Sequence, residues 1–202
     1  MKKSILLIAM LMFAFMGFSQ NRWDVYAGGS ISHYCSKPWI SSDKSYGWGG
    51  GAFLGGGYEV KLNSHWSVTP QVEFMFDNNG ATLDSMENSF YLNHESWQQT
   101  FNFNIPVIAS YRFSVSENMG LSFGVGPYLQ YTLWGRSYKY DSDVKENIKG
   151  GFGDRMNVGI LGEAAVETGR HLSYMFRVHY PFLKEGVVKE TLVLSLGIRY
   201  SF

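Results

Sequence analysis

Asp24, Glu59, Glu73, Glu163 and Glu167 are acids, and Lys61, Arg112, Arg177 and Arg199 bases, that lie in stretches where every second residue is apolar. A carboxylate and a guanidinium brought together away from water form charge-assisted hydrogen bonds, often two at once. Five acids against four bases is close to balance, which a packed ionic core requires because a lone buried charge costs several kcal/mol. Residues this far apart in sequence meet only if a fold converges them. Which acid meets which base is not written in the spacing.

The other candidates for chemistry are weaker. Histidines at 33, 65, 94, 171 and 179 have no metal-ligand spacing. The run "WGGGAFLGGGYEV", 48–60, matches G-x-G-x-x-G in no frame, and no helical period follows it, so its glycines are read as permitting bends or close packing in a narrow barrel. "HES", 94–96, could be imagined as part of a hydrolase in a long loop. Cys35 is the one cysteine, which excludes an intrachain disulfide. The run 138–151 mixes both charge signs and reads as a solvated loop. No catalytic residue, cofactor site or metal site is expected.

The elements that must position the nine charges are strands. In 191–202, "TLVLSLGIRYSF", the even positions Leu192, Leu194, Leu196, Ile198, Tyr200 and Phe202 are all apolar, a period of two. The same alternation runs through 101–113, 121–133 and 172–182, and less purely through 23–33, 48–62, 66–76 and 156–166. Eight candidate strands of roughly 11 to 15 residues exceed the five or six of an ordinary globular strand. Short turns follow the second, fourth and sixth strands at 63–65, 114–118 and 168–170. Long polar segments follow the first, third, fifth and seventh at 34–47, 77–97, 135–153 and 183–189.

The apolar set of positions carries almost no charge, whereas the opposite set carries the nine acids and bases. Charge inside and apolar side chains outside means that lipid is the solvent; a soluble barrel would reverse the faces. Ten residue steps at about 3.3 Å, tilted near 40°, rise roughly 25 Å, the height of the apolar band of such barrels. Aromatic residues gather at both strand ends, Trp23, Trp66, Tyr111 and Phe113 toward the turns and Phe76, Phe101, Trp134 and Tyr180 toward the loops. The expected fold is all-β: an eight-stranded, up-and-down antiparallel transmembrane β-barrel, its narrow lumen filled by the charge network and plugged rather than open.

Residues 1–19 read as a cleavable signal peptide, with Lys2 and Lys3 before an apolar run from Ile5 to Phe18, and residues 20–202 as the barrel domain. That run is short of the roughly 20 residues needed for a membrane helix. Aromatics at 17%, charged residues at 17% and a formal net charge of zero leave no basic footprint for nucleic acid. The export signal and the lipid-facing pattern together place the chain in the cell outer membrane.

At "TFNFNIPVIASYRF", 100–113, and "LSFGVGPYLQY", 121–131, the chain resembles the PorT-like outer-membrane β-barrel (porin family) proteins of Bacteroidota. The matching residues are Ile105, Pro106, Tyr111 and Phe113, then Gly124, Gly126, Pro127 and Tyr128. The resemblance implies outer-membrane lipid as surroundings and insertion by the barrel-assembly machinery, which reads a terminal aromatic, here Phe202. It implies no reaction. The expected function is a non-enzymatic structural or interaction barrel, or a narrow porin, with protein partners at the long loops. The alternatives are a component of a secretion or surface-assembly complex and, further off, a lipid-modifying enzyme.

Overall fold

In the computed structural model, described over residues 21–34, 48–83, 94–116, 118–139, 142–147, 151, 153–169, 171–182 and 191–202, nine strands form one antiparallel sheet. They are β1 (Arg22–Tyr34), β2 (Trp48–Lys61), β3 (Trp66–Leu83), β4 (His94–Ser116), β5 (Met119–Lys139), β6 (Ser142–Asn147), β7 (Met156–Thr168), β8 (Leu172–Pro181) and β9 (Thr191–Ser201). The neighbour order is β4-β3-β2-β1-β9-β8-β7-β5, and β4 also pairs with β5. The sheet therefore closes into a barrel of eight staves, while β6 pairs with β5 alone and stands outside the ring. The signal-peptide segment 1–19 and Cys35 lie outside the described residues.

The register fixes the shape. Following registered positions round the barrel from Ser32 leads through Val193, His179, Leu161, Gly126, Ile108, Thr69 and Glu59 to Arg22, ten residues below the start on the same strand. Eight strands with that stagger tilt about 40° from the axis and leave an interior just wide enough for side chains.

Burial alternates along every stave, in the sense that lipid demands. On β9, Leu196 (68% exposed), Ile198, Tyr200 and the terminal Phe202 face outward, whereas Val193, Ser195 and Ser201 are buried. The outer surface is a continuous belt of large apolar side chains, among them Leu54, Phe74, Val125 and Tyr174. Inside, Tyr26, Phe53, Met75, Met175 and Val193 form one apolar cluster, and Ile108, Tyr128 and Leu161 a second. Apart from these, Val60 and Pro106, the large buried side chains among the described residues are polar or charged.

The short turns fall where the alternation breaks. Asn63 Oδ1 accepts the backbone N–H groups of His65 (2.9 Å) and Trp66 (2.8 Å), a side-chain substitute for a backbone turn. Gly169 turns β7 into β8 at φ 71°, a left-handed conformation that glycine adopts without strain. Aromatic rings pack in pairs at this end: Trp23 with Tyr58 (4.8 Å between centroids), Trp66 with Tyr111 (5.0 Å) and Tyr200 with Phe202 (5.1 Å). At the loop end Phe74 stacks with Phe101 (5.9 Å) and Tyr180 meets Phe182 (6.0 Å).

Two expected loops need correction. Residues 77–97 and 135–153 are not loops throughout: β3 continues to Leu83, β4 begins at His94, β5 continues to Lys139, and β6 follows. His94–Ser96 is thus strand and not loop. The physical reason is that a strand leaving the bilayer meets water on both faces, so polar residues replace the alternating apolar ones while the backbone ladder goes on. β4 has 23 residues and β5 has 21, and about 9 to 11 residues suffice to cross a bilayer. The surplus forms a raised wall, in which 79–83 pair with 94–98 of β4, 96–99 of β4 with 136–139 of β5, and the end of β5 with β6.

Candidate functional site

Inward-facing parity brings the charges into two groups. Nearer the middle of the strands, Arg177 on β8 is fully buried. Its Nε donates to Glu163 Oε2 on β7 (2.7 Å), and its two terminal nitrogens donate to Glu73 Oε2 (2.7 Å) and Gln71 Oε1 (2.8 Å) on β3. β8 and β3 are four staves apart in a ring of eight, so these two bonds span the lumen along a diameter. Arg199 on β9 donates to the same Glu163 Oε2 at 2.5 Å, and Asn104 on β4 donates to the other oxygen of Glu73 at 3.0 Å. Two acids and two bases balance.

The aromatic lining completes this group. The Arg177 guanidinium lies 4.1 Å from the centroid of the Tyr26 ring, and the Tyr26 hydroxyl donates to Gln71 Oε1 at 3.0 Å. Cation–π contact of this kind strengthens where water is excluded. The ring has room because residue 55 is glycine: a Cβ there would sit 2.5 Å from Tyr26 Cζ. Gly55, within the glycine run of β2, is therefore a packing device that clears the lumen for Tyr26 on the next strand.

The second group lies at the turn end. Arg22 bonds Glu59, and Arg112 reaches Glu167 (2.7 Å) and Glu59 (3.3 Å). Arg22 also comes within 3.8 Å of Glu167 and 4.0 Å of Asp24. These side chains come from β1, β2, β4 and β7, so the group ties together four of the eight staves just above the turns.

Eight of the nine charges read from the sequence enter these groups. The exception is Lys61, which makes no ion pair among the described residues. Phe202 stands on the outer surface at the chain end, its backbone N–H donating to Trp23 O (2.8 Å), which stitches the last residue of the barrel to the first strand. The sequence reading missed Arg22 and Asp77. Arg22 shares parity with Asp24 and Asp77 shares it with Glu73, so extending either strand by a few residues would have found both. Asp77 is buried (4% exposed), accepts from Ser30 (3.4 Å) and pairs with no cation among the described residues. Around it Thr132 donates to Asn102 Oδ1 (2.8 Å), and Asn102 donates to Thr100 (3.1 Å), so uncharged polar side chains line this end of the lumen.

Chemically the arrangement is a fastener. All three guanidinium nitrogens of Arg177 donate to protein oxygens, whereas Arg199 Nε and Asn104 Oδ1 in the same group are buried without a hydrogen-bond partner among the described residues. Among the described residues no group of three or more His, Cys, Asp or Glu side chains is placed to hold a metal ion. A serine–imidazole contact exists between Ser64 Oγ and His65 Nδ1 (2.8 Å), but it lies in an exposed turn and the ring stacks on Tyr111 (5.6 Å).

Residues 18–185 match the model of the outer membrane protein beta-barrel domain family. The chain belongs to that family. Its place is the bacterial outer membrane, with the apolar belt in lipid. Solved structures similar to this family member include Ail, the attachment invasion locus protein of Yersinia pestis (13% identity over 90% of this chain and 99% of that one, TM-score 0.44). Others are OprG from Pseudomonas aeruginosa (10%, 90% and 96%, TM-score 0.48) and the outer membrane enzyme PagL (13%, 89% and 98%, TM-score 0.44). No curated protein matches the sequence.

Proposed function

We propose that this family member is a plugged, non-enzymatic interaction barrel whose function resides at its loop end. The observation that carries the reading is Arg177, fully buried and bonded across the lumen diameter to Glu73 and Gln71 while it holds Glu163 at its side. A guanidinium so held occupies the cross-section that a solute would need. The turn-end group of Arg22, Glu59, Arg112 and Glu167 closes the barrel a second time below it.

What remains available for function is the raised wall of β3, β4, β5 and β6. With short turns on the periplasmic side, this wall projects from the cell surface. Rigid scaffolds commonly carry function in such extensions. The partner class is a macromolecule met outside the cell, and the chain performs no reaction of its own.

The finer assignments belong to the same proposal. Ile105-Pro106 with Tyr111 and Phe113, and Gly124 with Gly126-Pro127-Tyr128, support kinship with the PorT-like proteins of Bacteroidota. Residues 1–19 act as the signal peptide, so that the mature chain begins at Gln20, and Phe202 is the signal read by the barrel-assembly machinery.

Planar-bilayer recording of the purified, heat-modifiable barrel tests the plug. The expected record has no stable conductance, and steady openings of nanosiemens size would replace this reading with a porin.

A further inference from the structure

The outer wall of the barrel is not evenly convex. A cavity of about 710 Å³ indents it where β5, β7, β8, β9 and β1 run side by side. Its floor is low because the outward side chains there include the small Ala164 and Ala27; Gly28 and Gly197, whose missing Cβ atoms would point to Phe53 in the lumen, contribute backbone beside them. Phe123 and Phe176 stand as walls.

The direction of the indentation follows from the register. Leu121, Val166, Tyr174, Ile198 and Ala27 are successive cross-strand partners, and so are Phe123, Ala164, Phe176 and Leu196 in the next outward row. Rows along the hydrogen-bond direction climb obliquely in a barrel whose strands tilt about 40°. The groove therefore begins at Leu121, two residues after β5 starts, and ends at Leu196, the middle of β9. It occupies only the half of each strand nearest the turns.

We propose that this groove holds one acyl chain of a phospholipid from the periplasmic leaflet. No charged side chain lines it, so a polar ligand would lose its hydration without compensation. Its depth in the membrane is that of a single leaflet, about half of the roughly 25 Å apolar band. A membrane-spanning helix or a second barrel would need a contact running through both leaflets, whereas a chain anchored by a headgroup at the turn edge ends near the middle. Short turns mark the periplasmic side, and the leaflet is assigned from that. The inference uses the outer-membrane placement of the family and is independent of the plug.

Native mass spectrometry of the full-length barrel, released from bilayers containing phosphatidylethanolamine and lipopolysaccharide, reads the occupant directly. The wild-type protein is expected to carry a single phosphatidylethanolamine. Ala164→Trp and Ala27→Phe, two separate ways of filling the groove, are each expected to reduce that adduct at least fivefold. Leu54→Trp, on the lipid face of β2 outside the groove, is expected to retain it. Heat-modifiable gel migration identifies folded variants, and either filling variant alone decides the matter. A wild-type barrel with no adduct, an adduct of lipopolysaccharide only, a folded filling variant with undiminished adduct, or equal loss in Leu54→Trp would each overturn the proposal.

Discussion

Replacing Arg177 with methionine tests the central network quantitatively. Methionine keeps most of the side-chain length and removes three hydrogen bonds and one charge. Glu163 would retain Arg199 at 2.5 Å, but Glu73 would retain only Asn104 at 3.0 Å, so a buried carboxylate would be left without a cation. Breaking a buried pair from one side costs about 3–5 kcal/mol. Glu73→Gln makes the opposite error, leaving Arg177 and Arg199 to share Glu163, and should cost a similar amount. Combining the two leaves Arg199 and Glu163 as a balanced pair. The double variant should therefore be no less stable than either single one, a coupling at the upper end of the range of about 0.5–3 kcal/mol or beyond it. Equilibrium urea unfolding in lipid vesicles, followed by tryptophan fluorescence, measures all four proteins. Additive losses would refute the argument, because they would mean that Arg177 and Glu73 do not sense each other across the lumen.

Three further outcomes can be checked, the first two by the same measurement and the third by insertion kinetics beside it. Leu196→Arg, at a position 68% exposed to lipid near mid-membrane, should cost about 2–4 kcal/mol, whereas Ser195→Ala, on the lumen side with an Oγ that bonds nothing, should cost under about 1 kcal/mol. Similar costs for the two would mean that the faces are reversed. Gly169→Ala should cost about 1–2 kcal/mol from backbone strain alone, since its Cβ would meet open space at φ 71°; no change would mean that the turn adopts another conformation. Phe202→Ser should slow insertion catalysed by the assembly machinery while moving equilibrium stability by less than about 1 kcal/mol, because the ring is largely exposed and the bond from its N–H to Trp23 O belongs to the backbone. Unchanged insertion kinetics would remove its role as a signal.

The barrel was legible in the sequence because lipid imposes the alternation more strictly than water does. A strand such as 191–202 has one face in hydrocarbon and one in a polar lumen, so every second residue is constrained for the full thickness of the membrane. Where that constraint ends the pattern ends too, and residues 77–83, 94–97, 135–139 and 142–147, which are strand, read as loop. Their pairing is carried by the backbone, and the backbone is the same for every residue. The lumen was legible in kind and not in detail. Parity marks Arg177 and Glu73 as inward-facing, but their contact depends on the stagger of ten residues round the barrel, which sets the heights at which side chains from opposite staves meet. One extra residue of register in any one stave would turn its lumen side chains into lipid. The ion pairs therefore report on the register as much as they stabilise it: a barrel closed out of step would bury Arg177 opposite something other than Glu73, and the cost of that lone charge selects against it.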